Sequence, residues 1–155
     1  MVLIERSYDF KIFAALNREV QMQHAEMYPQ IFKDYNEVEV QHAFSQLISK
    51  DNVHAYLARK NGNPIAYLIL MLVDEKENTF KHSRKFLYLD QLCVLEKERN
   101  NGVGSMLMHT ALALAKEEKL NSLELDHWYE NRVAREFFKK FGFKIIKEKA
   151  QRSLV

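Results

Sequence analysis

Cysteine, proline and glycine are all scarce in these 155 residues: one Cys, two Pro and four Gly. A lone cysteine closes no internal disulfide, and beside six scattered His it offers no zinc spacing, so no metal is expected. A reduced, cytoplasmic setting is the plain expectation. No repeat or low-complexity stretch is present. Neither sign of charge is in excess, with 23 Lys and Arg against 21 Asp and Glu, so no net field argues for a nucleic-acid or membrane partner. The longest apolar run, residues 65–73, is nine residues, about half of what a bilayer-spanning helix needs. The opening M-V-L-I-E-R-S-Y-D-F is charged by its fifth residue and has no signal-peptide core.

What is present is the balance of an ordinary globular chain, 47% apolar and 28% charged, at a length expected to fill one domain, residues 1–155. Residues 2–6 read as a short strand. Phe13, Leu16, Val20 and Met27 then fall at helical spacing with His24 on the same stripe, and Val40, Phe44, Leu47 and Ile48 mark a second helix. Residues 53–60 and 65–73 read as a hairpin about K-N-G-N-P, which holds Gly62 and Pro64. The second of these runs reads as a strand buried on both faces. After a polar stretch, 74–85, comes a third long run, 86–95, broken only by Asp90 and Gln91. A helix over about 105–119 is apolar on more than one face through Met106, Leu107, Leu112 and Leu114, so it is expected to be covered on several sides. A strand at 122–126 precedes a helix from Asn131 whose stripe is Val133, Ala134, Phe137, Phe138 and Phe141, with Gly142 at its left-handed end. Residues 143–147 and 151–154 are expected to add one or two last strands. The order βααβββαβαβ predicts a mixed α/β sheet.

Two of the four glycines stand two apart in one strand-to-helix loop: Arg99, Asn100, Asn101, Gly102, Val103, Gly104 and Ser105. A helix start leaves its first N–H groups unpaired and carries partial positive charge. Glycines let backbone approach a ligand closely, and Arg99 adds a full charge, a combination suited to phosphate or pyrophosphate. Three phosphate motifs compete. The P-loop pattern fails for want of its Lys. The dinucleotide fingerprint fails at Leu107, although Glu124 or Asp126 stands where its acidic partner is expected. The pattern Arg/Gln-x-x-Gly-x-Gly/Ala matches throughout. A tight turn with no ligand is the plain alternative.

The stretch L-Y-L-D-Q-L-C-V-L-E-K-E-R-N-N-G-V-G-S-M-L-M is similar to the acetyl-CoA-binding strand, loop and helix of the GNAT superfamily of N-acetyltransferases. A second stretch, L-E-L-D-H-W-Y-E-N-R-V-A-R-E-F-F-K-K-F-G-F, resembles that family's next strand, its Asn-x-x-Ala helix start and its Phe-Tyr-x-x-x-Gly-Phe ending. Together they cover residues 88–143, and H-A-E-M-Y-P-Q-I-F nearer the N-terminus resembles bacterial members. The resemblance implies a mixed, mostly antiparallel central sheet with splayed strands, flanked by about four helices.

Residue roles follow from the same resemblance. In that family loop amides hold the CoA pyrophosphate, which maps onto Arg99 through Ser105. The pantetheine arm lies along the preceding strand, at Leu92, Cys93 and Val94. The Val94 amide would polarise the thioester carbonyl, and a fixed donor facing a forming oxyanion lowers the barrier by a few kcal/mol. Asn131 matches an Asn that contacts the CoA arm, with Ala134 in the same motif; as bare sequence, Asn131 is equally a helix N-cap. Asp90 is the candidate general base, because an ammonium acceptor must lose a proton before it attacks. A carboxylate at a sheet edge or in an ion pair is its plain alternative. Phe138 borders the cofactor where the family usually carries Tyr as general acid. Phe donates no proton, but a thiol pKa of about 8.5 makes thiolate a tolerable leaving group, with Tyr88, Tyr129 or water as substitutes.

Cys93 has no His beside it and reads as an inert thiol. His127 and Trp128 read as the end of a strand over the cofactor groove or a dimer contact, or as mere packing. His24, Tyr28 and Phe32 read as acceptor-pocket walls or as ordinary core and surface. The resemblance implies an acetyl-CoA-dependent N-acetyltransferase acting by direct attack in a ternary complex. Its partner would be a small-molecule primary amine, and a homodimer is plausible for the superfamily. A catalytically weak acyl-CoA-binding module, suggested by Phe138, and a nucleotide-binding regulator using the same loop are the alternatives.

Overall fold

Apolar side chains at alternating and helical spacing sort the chain into five strands and four α-helices, and the computed structural model describes residues 1–155. In chain order these are β1 Val2–Arg6, α1 Phe10–Met27, α2 Glu37–Ile48, β2 Val53–Lys60, β3 Asn63–Glu75, β4 Arg84–Val94, α3 Val103–Glu117, β5 Leu123–Leu125 and α4 Arg132–Lys140. A single turn of 3-10 helix, Glu96–Glu98, follows β4. The sheet order is β1-β2-β3-β4-β5, antiparallel except for the parallel pair β4 and β5. Asn61 and Gly62, both left-handed at φ 52° and 83°, make the tight turn between β2 and β3.

Helices cover both faces of the sheet. On one, Phe13 of α1 and Phe44 and Ile48 of α2 pack on Leu57, Tyr67 and Ile69. On the other, Leu107, Met108 and Ala111 of α3 and Phe138 of α4 pack on Leu68, Leu70, Leu87 and Leu89. β3 lies between these two cores, so Ile65 and the next five side chains are all buried, as its unbroken apolar run predicts.

Three sequence expectations need correction. Met106 and Leu112 are exposed, because α3 has a layer on one side only and buries the single stripe Val103, Leu107, Ala111 and Leu114. Val133 is 73% exposed and off the stripe of α4, which runs through Ala134, Phe137, Phe138 and Phe141. No strand forms after α4: the chain ends without the expected pairing, and Ile145, Ile146 and Leu154 are exposed. β5 offers only three residues of edge, and K-I-I-K-E-K sets two isoleucines side by side, so an added strand would bury only one of them on each face.

Candidate active site

β4 carries a phase slip. Ile69 and Leu70 are neighbours on β3, yet their partners are Gln91 and Leu89, so Asp90 is an extra residue opposite nothing, a β-bulge. Backbone directions confirm it. Leu87 N–H donates to Ser122 O on the β5 side, whereas Leu95 N–H donates to Ile65 O on the β3 side. In a regular strand two residues an even number apart face the same way. Past the bulge, therefore, Cys93 and Leu95 turn their amides to β3, and Leu92 and Val94 turn theirs away from it. The Val94 carbonyl accepts instead from Arg99 Nε at 3.1 Å.

That far edge is open. β5 pairs with β4 only at Leu87, Tyr88 and Leu89, after which the two strands part, as the resemblance predicts. The amides of Leu92 and Val94 thus line an edge that can accept an extended ligand as an added strand.

Beyond β4 the loop is fastened at its start: Glu96 N–H donates to Glu19 Oε2 of α1 at 2.9 Å, and Lys60 pairs with Glu98 at 2.9 Å. It then turns through left-handed Asn100 (φ 62°) and Gly102 (φ 80°) into α3. The other three α-helices are capped by side chains, namely Asp9, Asn36 and Asn131. α3 begins at Gly102 with no side-chain cap. Backbone N–H groups from Asn100, Asn101, Gly102, Val103, Gly104 and Ser105 find no acceptor in the protein. Six free donors at a helix start, next in sequence to Arg99, are an arrangement suited to an anion. Gly104 serves close packing: a Cβ there would lie 3.3 Å from two ring carbons of Phe137 and 3.9 Å from Val94 Cγ2.

Of the remaining predicted residues, Cys93 departs from expectation: its amide and its thiol both turn away from the open edge. Leu92 and Val94 are half-buried against the α3 core, as are Ala134 and Phe137. Asn131 is the N-cap of α4, its Oδ1 accepting from Ala134 N–H at 3.1 Å. Phe138 is 8% exposed and packed by the rings of Phe137, His127 and Phe143. Cys93 faces the opposite core, where its thiol donates to Leu16 O at 3.5 Å. Burial first, then Glu19 beside it, pushes this thiol up to about 12 against the opposing pull of Arg99. Asp90 makes no ion pair and accepts from Gln91 Nε2 at 3.2 Å. Tyr88 donates to Asp126 Oδ2 at 2.6 Å, and burial together with that carboxylate holds its hydroxyl protonated well above the ordinary phenol range.

Trp128, two residues past Asp126, lies tilted against Tyr28 at 4.6 Å and meets Phe32 edge-on at 5.2 Å, and Phe32 lies 4.7 Å from His24. The end of α1 and the segment after β5 thus close one aromatic corner, tied by Glu130 N–H to Tyr28 Oη at 3.2 Å. Burial keeps His24 below the usual imidazole range, so it stands there uncharged at neutral pH. Tyr129 is 76% exposed and stacks only with Arg135. Sequence reasoning left out Asn17, Tyr67 and Gln91, which the fold connects to Asp90 by hydrogen bonds.

Residues 17–143 match the Acetyltransferase (GNAT) family, most of the chain, and the protein belongs to this family of acyltransferases, which use acyl-CoA. No curated protein matches it. A variant of the BH1408 protein from Bacillus halodurans has the same fold at a TM-score of 0.93 and 21% identity, with 99% of each chain covered. An aminoglycoside N-acetyltransferase, AAC(6')-Iy, solved with CoA, gives a TM-score of 0.76 at 13% identity over 100% of this chain and 96% of its own. Aminoglycoside 6'-N-acetyltransferase AAC(6')-IG from Acinetobacter haemolyticus gives 0.72 at 20% identity over 97% of each. At these identities the likeness is one of fold.

Proposed function

We propose that this acyltransferase moves an acetyl group from acetyl-CoA to a primary amine on a small molecule, by direct attack with both substrates bound. One observation carries the reading: the open edge of β4 runs from the bulged Asp90 through Val94 to the loop of six free amides. Acetyl-CoA supplies the acyl group as an activated thioester. The amides from Asn100 through Ser105, with Arg99, suit its pyrophosphate, and Leu92 and Val94 suit its pantetheine arm. Asn131 and Ala134 border that arm at the start of α4, where the Asn131 side chain also caps the helix, and Phe138 borders it nearer the end of the same helix. Val94 N–H is the fixed donor for the carbonyl oxygen on which negative charge develops. Asp90 takes the proton that an ammonium must shed.

Phe138 brings no hydroxyl, the Tyr88 hydroxyl is committed to Asp126, and Tyr129 lies exposed against Arg135, so water is the proton source for the leaving thiolate. Asp126, two residues before Trp128, sets a carboxylate near the corner of Tyr28, Phe32 and Trp128, which favours a cationic acceptor. Structures of the same fold are named as aminoglycoside N-acetyltransferases, which supports a small-molecule amine. The homodimer belongs to the same proposal: exposed Ile145, Ile146 and Leu154 are surface that a second copy would cover, and light scattering gives the mass that decides it.

The test follows CoA release from acetyl-CoA across a panel of small amines that includes aminoglycosides. Turnover with any of them is expected. The buried Phe138 favours a second reading, an acyl-CoA-binding module with little activity. That reading takes over if acetyl-CoA raises the melting temperature while every amine stays untouched. No rise at millimolar acetyl-CoA would sink both.

A further inference from the structure

A polar chain crosses the otherwise apolar core between α1 and the sheet. Asn17 Nδ2 donates to Tyr67 Oη at 2.9 Å, Tyr67 Oη donates to Gln91 Oε1 at 2.8 Å, and Gln91 Nε2 donates to Asp90 Oδ2 at 3.2 Å. Tyr67 is wholly buried, and Asn17 is the one polar residue among the buried set. Apolar side chains of similar size would fill this space without the cost of desolvating an amide and a phenol. Stability alone therefore does not account for it.

The chain has one direction. The amide hydrogen of Asn17 occupies a lone pair of the Tyr67 oxygen, so the single phenol proton goes to Gln91 Oε1. Burial, reinforced by Cys93 and Asp90 nearby, keeps that phenol protonated at any working pH. With its carbonyl held by Tyr67, the Gln91 amide can only present its NH2 end to Asp90. Asp90 in turn is the bulged residue, and no cross-strand partner fixes it.

We propose that Gln91, oriented by Tyr67 and Asn17, is a positioning residue that aims an N–H at the Asp90 carboxylate and holds it in place. This rests on the reading of Asp90 as general base. Arg99 is the cation on this stretch; it acts on Cys93 and its Nε is spent on the Val94 carbonyl. No Lys or Arg pairs with Asp90, so the Gln91 amide is the group that fixes the carboxylate in place.

The experiment is kcat and KM for the intact protein and for Asp90→Asn, Gln91→Met, the two together, and Tyr67→Phe. Gln91→Met keeps the volume and removes the donor. It is expected to lower kcat about tenfold with KM for acetyl-CoA unchanged, and to cost nothing further once Asp90→Asn is present. Tyr67→Phe, which frees the amide to turn, should lower kcat the same way. No loss in Gln91→Met, or an equal loss in the Asp90→Asn background, overturns the positioning role. If Asp90→Asn keeps full kcat, the base assignment fails and this inference with it. Should Tyr67→Phe not fold, Gln91→Met decides alone.

Discussion

Replacing Gly102 by alanine separates the conformational demand of the loop from its packing. Gly102 lies at φ 80°, and a methyl group there meets nothing within 4 Å. The cost is then backbone strain alone, about 1–2 kcal/mol for an ordinary L-residue in the left-handed region. In a chain of this length that is a melting shift of roughly 2 to 8 °C. Gly104 makes the opposite case. It sits inside α3, where alanine gains up to about 1 kcal/mol in helix propensity. Its methyl, however, would press on Phe137 at 3.3 Å. That ring is braced by Phe138 at 5.4 Å and Phe141 at 5.1 Å, so overpacking of about 1–3 kcal/mol wins. The rescues differ accordingly. Gly102→Asn should recover most of the loss, since Asn tolerates this backbone and Asn100 already adopts it at φ 62°. Gly104→Ala should be relieved only by shrinking its neighbour, with Gly104→Ala and Phe137→Leu together costing less than their sum. Thermal and urea unfolding of these variants without ligand reads all of it. If Gly102→Ala melts with the parent, or no lower than Gly102→Asn, the strain argument is wrong.

Asp90→Asn should lower kcat/KM for CoA release by about 10²- to 10⁴-fold with KM for acetyl-CoA unchanged; full activity would remove the base. Acetyl-CoA at 100 times its dissociation constant should add about 2.7 kcal/mol and raise the melting temperature by roughly 5 to 10 °C, with NAD and ATP inert as controls. Alkaline stability should fall early. The Cys93 thiol ionises near 9 unfolded but near 12 folded, so above pH 9 the unfolded state binds fewer protons and stability drops as pH rises. The slope approaches about 1.4 kcal/mol per pH unit between those values. Urea unfolding at pH 8, 9 and 10 checks this, and Cys93→Ala should flatten the curve.

Much of this site was legible because its parts are local. The turn at Asn61 and Gly62, the uncapped glycine start of α3 and the Asn131 cap are each set by a few adjacent residues whose chemistry admits little else. The C-terminal strands were not legible, because strand pairing depends on an edge elsewhere, and β5 is too short to offer one. Met106 and Leu112 misled for a similar reason: apolar surface on a helix does not say how many layers cover it. The link from Asn17 through Tyr67 to Gln91 joins three elements, and nothing in an all-apolar run marks Tyr67 as its hinge. One signal was there to use. Leu87 and Leu89 share a face, as do Leu92 and Val94, and the adjacent polar pair Asp90 and Gln91 lies where those two phases must meet.

That phase change invites a sharper perturbation than any substitution. Leu70 with Leu89 and Ile69 with Gln91 are already consecutive pairs, so deleting Asp90 would leave every neighbour its present partner. The ladder would become regular, and the amide of Val94 would keep its direction. Such a protein should fold and melt at or above the parent temperature. What it would lose is the bend that a bulge puts into its strand. β5 leaves β4 at Leu89, immediately before the bulge, so that bend is the physical reason the two strands part. A straightened β4 would let the pairing run on and close the edge where Leu92 and Val94 stand open. The deletion should therefore abolish the acetyl-CoA-induced rise in melting temperature, whereas Asp90→Gly, which keeps the extra residue without its carboxylate, should retain the rise and lose only turnover. If the deletion binds acetyl-CoA as the parent does, the bend does not open the edge, and the bulge serves the carboxylate alone.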